Sequence, residues 1–221
     1  MAWFEKEFIA FFLELEVNNN KEWFHENKKR YEQYVKEPFY NFVAEMIKRI
    51  NKDDPSIAIE PKEAIFRINR DIRFSKDKQP YKNYASAVIS REGRKNLKLP
   101  GAYFEFKAEG IQYYGGAYFV EKDDLLKVRH KIAKDIPAFN KIITDKKFVN
   151  TFGDVQGEKN KRLPKEFEAA AVKQPLLFNK SFYYGAQLDM SLLFEENLAD
   201  EIFKLYQAGK SFNQYFTKVI G

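Results

Sequence analysis

Phe39, Phe42, Val43, Met46, Ile47 and Ile50 recur on one face of a helix, whereas farther along Phe104 and Phe106 alternate with Glu105 and Lys107. The first pattern repeats every ~3.6 residues and the second every two, so each suits only one kind of backbone. This change of period constrains the fold more than any other feature. Helical stripes also run through Phe4, Phe8, Phe11, Phe12 and Leu15 near the start, and through Leu198, Ile202 and Leu205 near the end. Between them lie short runs rich in aromatic and β-branched residues at 65–68, 84–89, 102–107 and 111–120, with another at 182–188. Ala108-Glu109-Gly110 reads as a short hairpin loop, which favours antiparallel pairing. Residues 125–133 and 139–148 read as further helices, and 153–161 as a polar loop. The expected fold class is therefore α+β: a mostly antiparallel central sheet with N-terminal and C-terminal helices packed on it. With no repeat, low-complexity tract or long linker, residues 1–221 are expected to form a single domain.

Two local signals refine the N-terminal part. Asn19 and Glu22 have the N-cap and N3 spacing of a capping box. Pro38 stands either in the first turn of a new helix or at a kink in a continuous one.

The chain has no cysteine, which excludes disulfides and thiolate-bound metals and fits a reducing compartment. Glu5, Glu7, Glu14 and Glu16 interrupt any apolar leader, and no later stretch is apolar enough to span a bilayer. A cytoplasmic protein without a membrane partner is the expectation. His25 and His130 are far apart and lack the neighbours of a zinc motif, so no metal site is expected. No phosphate-cradling glycine loop or nucleophile elbow occurs, and no cofactor is expected. Gly115-Gly116 falls inside a strand-like run and fits a bulge or a close backbone approach.

Charge is the strongest functional signal. Residues 61–98 hold eleven Lys or Arg and four Asp or Glu, a local balance of +7 in a chain whose net charge is +6. A localised anion-facing surface follows. Its densest part runs Arg67-Ile68-Asn69-Arg70-Asp71-Ile72-Arg73-Phe74-Ser75-Lys76-Asp77-Lys78-Gln79-Pro80-Tyr81-Lys82. In an extended backbone Ile72 and Phe74 would share one face, leaving Asp71, Arg73 and Ser75 on the other. Asp77 to Pro80 has the composition of a turn.

This run resembles the signature R-x-x-R-D-x-R-F-x-x-D-K-x-x-Y of domain-of-unknown-function family 2461, whose fixed positions are all met here. Asn19 to Phe24, Gly115-Gly116-Ala117-Tyr118, Arg129 and Leu177 to Tyr183 are similar to other stretches of that family. The resemblance thus covers nearly the whole chain. It implies a single-domain, bacterial, cytoplasmic protein, and it supplies no catalytic residues to carry over.

Arg67, Arg70, Asp71, Arg73, Lys76, Asp77, Lys78, Tyr81 and Lys82 form the candidate anion-binding set. A guanidinium fork matches phosphate or carboxylate, Asp71 can orient the arginines, and Tyr81 offers a hydroxyl or a stacking face. The alternative is a salt-bridge network of the arginines with Asp71 and Asp77, which has to be partly buried to matter for stability. Two functions stay open. One is a binding domain or enzyme for a phosphorylated or carboxylated small molecule. The other is a nucleic-acid-binding module that uses 61–98, with Arg91, Arg94, Lys95 and Lys98 extending an open basic stripe. Nothing in the residues names a protein partner. Glu105 and Lys107 with Asp71 or Asp77 faintly echo a metal-dependent nuclease, but their alternation marks the solvated face of a strand. Trp23, Phe24, Tyr31, Tyr34, Phe39 and Tyr40 could stack on bases, yet their helical spacing favours core packing.

Overall fold

The computed structural model describes residues 2–221. Helix α1 (Lys6–Val17) buries Phe8, Ile9, Phe11, Phe12 and Leu15, the stripe that its sequence predicts. Helix α2 (Lys21–Glu26) is capped by Asn20, whose side chain accepts from the Trp23 N–H at 2.9 Å. The cap therefore falls one residue later than the Asn19–Glu22 spacing predicts. Asn19 instead exchanges two hydrogen bonds of 3.0 Å between its side-chain amide and the backbone of Tyr81, as a neighbouring strand would.

Helix α3 (Lys28–Tyr31), a π turn at Glu32–Lys36 and helix α4 (Glu37–Asp53) follow one another without leaving helical dihedrals. Pro38 thus marks an irregularity in a continuous helix rather than a new start. Proline has no N–H and its ring crowds the carbonyl four residues back, and a π turn just before it relieves both. The Glu37 N–H reaches Glu32 O, five residues back. Beyond it, α4 buries the six residues of the predicted stripe.

Strands β1 (Tyr84–Ile89), β2 (Ala102–Lys107), β3 (Gly110–Ala117) and β4 (Phe182–Leu188) form one antiparallel sheet in the order β1-β2-β3-β4. The fold is α+β, as expected. The expected strand at 65–68 is only an extended run, joined to β1 by a single bridge between Ile65 and Ala87. Its β-branched residues favour extension, but the pairing does not continue long enough to make a strand. Helix α5 (Pro61–Ala64) precedes it. Farther on come α6 (Lys122–Lys134), α7 (Ile136–Ile143), α8 (Lys146–Phe152), α9 (Lys165–Lys173) and α10 (Leu198–Ile220). The helix predicted at 139–148 is split because the Asp145 carboxylate caps the N–H groups of Lys147 and Phe148 and starts a new one.

Two compact units are interleaved along the chain. The first contains residues up to Arg94 with Tyr103–Tyr113 and Gln187–Phe203; the second contains Lys95–Ala102, Tyr114–Ala186 and Lys204–Gly221. In the first, Phe42 packs its ring 5.8 Å from that of Phe104 and 5.1 Å from that of Phe106, and Phe39 and Phe4 close on Phe106 at 5.5 Å each. Such ring pairs add roughly 0.5–1.5 kcal/mol each beyond the area that they bury. The second centres on Tyr184, which packs 4.3 Å from Phe152 and donates its hydroxyl to Asn213 at 3.1 Å. A Cβ on Gly115 or Gly209 would fall within 2.2 or 1.8 Å of that hydroxyl, so the expected close approach at Gly115 is real. Among the described residues no helix is long and apolar enough to cross a membrane.

Candidate anion-binding site

The Arg67–Lys82 run lies on an irregular hairpin in the first unit. Residues 65–70 run antiparallel to 80–87: the N–H groups of Phe66, Lys82 and Arg70 donate to Ser86, Ile68 and Pro80 at 2.9, 2.9 and 2.8 Å. Asn69 and Tyr81 form an isolated bridge. Asn19 holds the second arm from outside, and the Tyr81 ring stacks on Phe24 with centroids 4.0 Å apart. The tip, 71–79, has no regular structure.

At the base of this hairpin Phe66, Arg67, Asn69, Arg70, Asp71, Lys82 and Arg94 line an open concavity of about 430 Å³. Four of the seven are cations. Arg70 is half-buried and pairs with Asp77. Arg94 donates Nε and Nη2 to the Lys62 carbonyl at 3.3 and 3.2 Å. Among the described residues, Arg67 and Lys82 have no carboxylate within ion-pair distance. Lys82 holds its ammonium 5.1 and 5.6 Å from the ring centres of Phe66 and Tyr84, an arrangement in which ring quadrupoles replace part of the lost hydration. Burial, with a smaller contribution from Arg67, pulls the Lys82 pKa below its ordinary value, while Glu105 acts in the opposite sense.

The candidate set therefore divides. Arg67, Arg70, Asp71 and Lys82 come together, while Arg73, Lys76, Asp77, Lys78 and Tyr81 are not in the wall of the concavity. Arg73 is 77% exposed and forks onto Asp71 at 2.9 and 2.6 Å. That contact holds the Asp71 carboxyl down at about 2. Backbone donation from Gln79, then Arg70, lowers Asp77. Lys78 ties the tip together by donating to the Ile72 carbonyl at 3.0 Å. The Tyr81 ring is buried against Phe24. Phe74 does not turn inward with Ile72 but is 96% exposed, because the tip has no facing layer for an extended segment to cover. The Arg73–Asp71 pair is exposed, while the Arg70–Asp77 pair is partly buried on its Arg70 side.

Arg94 reaches the concavity by a route that spacing does not reveal. It follows Gly93, whose φ is +55°, and a Cβ there would sit 2.4 Å from the Glu63 carbonyl oxygen. Only glycine lets the 3₁₀ turn Gly93–Lys95 come so close to α5. The glycine was the available signal. Of the other residues of the expected basic stripe, Arg91 donates to the Ser56 hydroxyl, and Lys98 pairs with Glu121 at 2.9 Å.

The remaining candidates acquire ordinary roles. Glu105 is half-buried rather than solvated, since Phe66 packs edge-on against Tyr103 at 5.9 Å and the Tyr103 hydroxyl donates to Glu105. Burial, then Glu105, pushes the Tyr103 phenol far up. His25 and His130 are exposed, and among the described residues no three His, Asp or Glu side chains gather to hold a metal ion. Of the aromatic run at 23–40, Phe39 is core, Phe24 and Tyr31 pack on Phe11, and Tyr40 remains exposed.

No curated protein and no solved structure matches the chain. A family model described as "conserved hypothetical protein (DUF2461)" matches residues 7–215, a span that includes the helices before the hairpin, the hairpin and the whole sheet. The chain belongs to the DUF2461 family.

Proposed function

We propose that the concavity of Arg67, Arg70, Lys82 and Arg94 binds a small molecule through its phosphate or carboxylate group. One observation carries this reading: four cations from three separate stretches of chain face a hollow whose lining includes one carboxylate, Asp71, and three of them, Arg67, Lys82 and Arg94, have no carboxylate within ion-pair distance among the described residues. Like charges held together repel, and a bound anion removes that repulsion. Planar guanidiniums beside an ammonium suit an oxyanion better than any neutral ligand. Neutralisation of Lys98 by Glu121 removes one contact that a continuous nucleic-acid track would use and makes it the weaker reading. The setting that accompanies the proposal is a bacterial cytoplasm, which rests on the absence of cysteine and on the family resemblance.

Thermal unfolding in rising phosphate or sulfate tests the proposal. A ligand that binds only the folded state raises the midpoint as its concentration passes Kd. The parent protein is expected to gain several degrees, and Arg67→Ala/Lys82→Met to gain none. If neither anion shifts the parent beyond a chloride control of equal ionic strength, or if the double variant responds equally, the proposal fails.

A further inference from the structure

Next to the cationic concavity lies a second, larger one of about 560 Å³, and the two share Phe66, Arg67, Asn69 and Arg94 as wall. Its character is different. Phe24, Tyr31, Tyr40, Ile65, Phe66 and Tyr84 contribute apolar surface over the buried Val35 and Phe39, and charge is carried by long side chains such as Lys28, Lys36, Lys62 and Arg67. Lys36 and Lys62 are paired with Glu32 and Glu60. One wall includes Glu32, Val35 and Lys36 of the π turn. A π turn carries an extra residue per turn and alters the helix surface locally, and such turns recur where helices meet ligands.

We infer that the ligand of this site carries its phosphate or carboxylate on an apolar body that lies in the second groove. The inference rests on the anion-site reading above and adds the class of molecule. Charge complementarity fixes the orientation: the anion meets Arg67, Arg70 and Lys82, and the apolar part runs from Phe66 towards Tyr31 and Val35. A free inorganic ion would leave the groove's apolar wall in water. A sugar phosphate could use Lys28, Glu32, Lys36 and Lys62 at the rim but would leave the rings and branched aliphatics of the wall uncovered. The groove falls within the size range of small-molecule sites, roughly 300–1,000 Å³.

The test is calorimetric titration of the parent protein with a homologous series: inorganic, ethyl, butyl, hexyl and octyl phosphate, with 1-naphthyl phosphate as the aromatic arm. Each buried methylene is worth ~0.8 kcal/mol, about fourfold in affinity, so octyl phosphate should bind about 60-fold more tightly than ethyl phosphate even with only half of its six extra methylenes buried. A steady gain along the alkyl series points to an aliphatic body, and a larger gain for the naphthyl ester to a planar one; either supports the inference. Ala85→Phe, which adds a ring to the groove wall, should remove the gain while leaving inorganic phosphate unaffected. Equal affinity throughout the series, with inorganic phosphate still bound, would overturn the inference and leave the anion site standing. Failure of every phosphate to bind would overturn both. If Ala85→Phe does not fold, the series on the parent still decides; if it folds and keeps the gain, the groove is not where the chain lies.

Discussion

Arg129 and Arg67 lie in two segments that resemble the same family, and they use the same side chain in opposite ways. Arg129, on α6 in the second unit, is 4% exposed; its Nε donates to Leu177 O at 2.9 Å and its Nη2 to Asn179 O at 3.3 Å. Burial lowers its pKa. Its hydrogen bonds are directed at backbone, and they fix the stretch that leads into β4. Arg67 is exposed on the wall of a hollow, with Lys82 as a like-charged neighbour; Asp71 shares that wall and feels its charge, but no carboxylate lies within ion-pair distance of Arg67 among the described residues. One guanidinium has its partners within the fold, whereas the other faces a space that an anion would fill. An arginine in a shared motif is therefore not a ligand site by virtue of its type. Where its donors point decides.

The largest effect expected from this contrast is on stability. Arg129→Met removes the donors to two buried carbonyls, and leaving such groups unpaired costs roughly 2–4 kcal/mol in total. Denaturant unfolding should show that loss, while the phosphate response of the folded fraction stays as in the parent. Loss of the phosphate response without loss of stability would reverse the roles assigned to the two arginines.

The next effect is on binding, through pH. The Lys82 ammonium is disfavoured mainly by burial, so it loses its proton below the ordinary lysine range while the arginines stay charged. Sulfate keeps its double charge throughout, so its affinity should fall as pH rises through that lowered pKa. Lys82→Arg should hold the affinity to higher pH. A pKa lowered in the folded state also means that the charged lysine opposes folding, and that this penalty fades as pH rises through the folded value. Lys82→Met should accordingly melt no lower than the parent near neutrality. A flat pH profile for sulfate, or a marked fall in midpoint for Lys82→Met, would place Lys82 with the scaffold.

The sequence reveals different amounts of these two regions for physical reasons. Strand β2 is legible because Phe104 and Phe106 alternate over a facing helix layer, and α4 because its stripe keeps a helical period along its length. Burial on one face writes itself into the sequence as periodicity. The π turn at Glu32–Lys36 leaves no such mark, since it displaces the stripe by a single residue beside a proline that has more than one reading. Asn19 reads as a cap because a side-chain amide that mimics a strand partner uses the same chemistry as one that caps a helix. The basic segment is legible as charge but not as geometry. Arg67, Arg70 and Lys82 converge through pairing of 65–70 with 80–87, and Arg94 joins them because Gly93 permits a close approach to Glu63. Nothing in spacing separates those four from Arg73, which differs only in being carried on the unpaired tip.

Arg73 gives the smallest expected effect and the sharpest discrimination. It lies in the same basic run as Arg67 and Arg70, yet its guanidinium is forked onto Asp71, reaches no wall of the concavity and lies 5.9 Å from the centre of the exposed Phe74 ring. Arg73→Lys keeps the charge and loses the fork. Because both partners are exposed, water replaces the missing hydrogen bond and the melting midpoint should hardly move. Affinity for sulfate should also stay within about twofold of the parent, since a retained charge beyond the wall acts only through screened solvent. Arg70→Lys, inside the hollow, should by contrast lose bidentate contact and weaken sulfate binding at least about tenfold. The two substitutions alter the same atoms three residues apart in one motif, so stickiness of the segment as a whole would weaken both alike. Equal losses at Arg70 and Arg73 would mean that the motif attracts anions diffusely. A loss at Arg73 alone would mean that the tip folds over the ligand and that the site extends beyond the concavity.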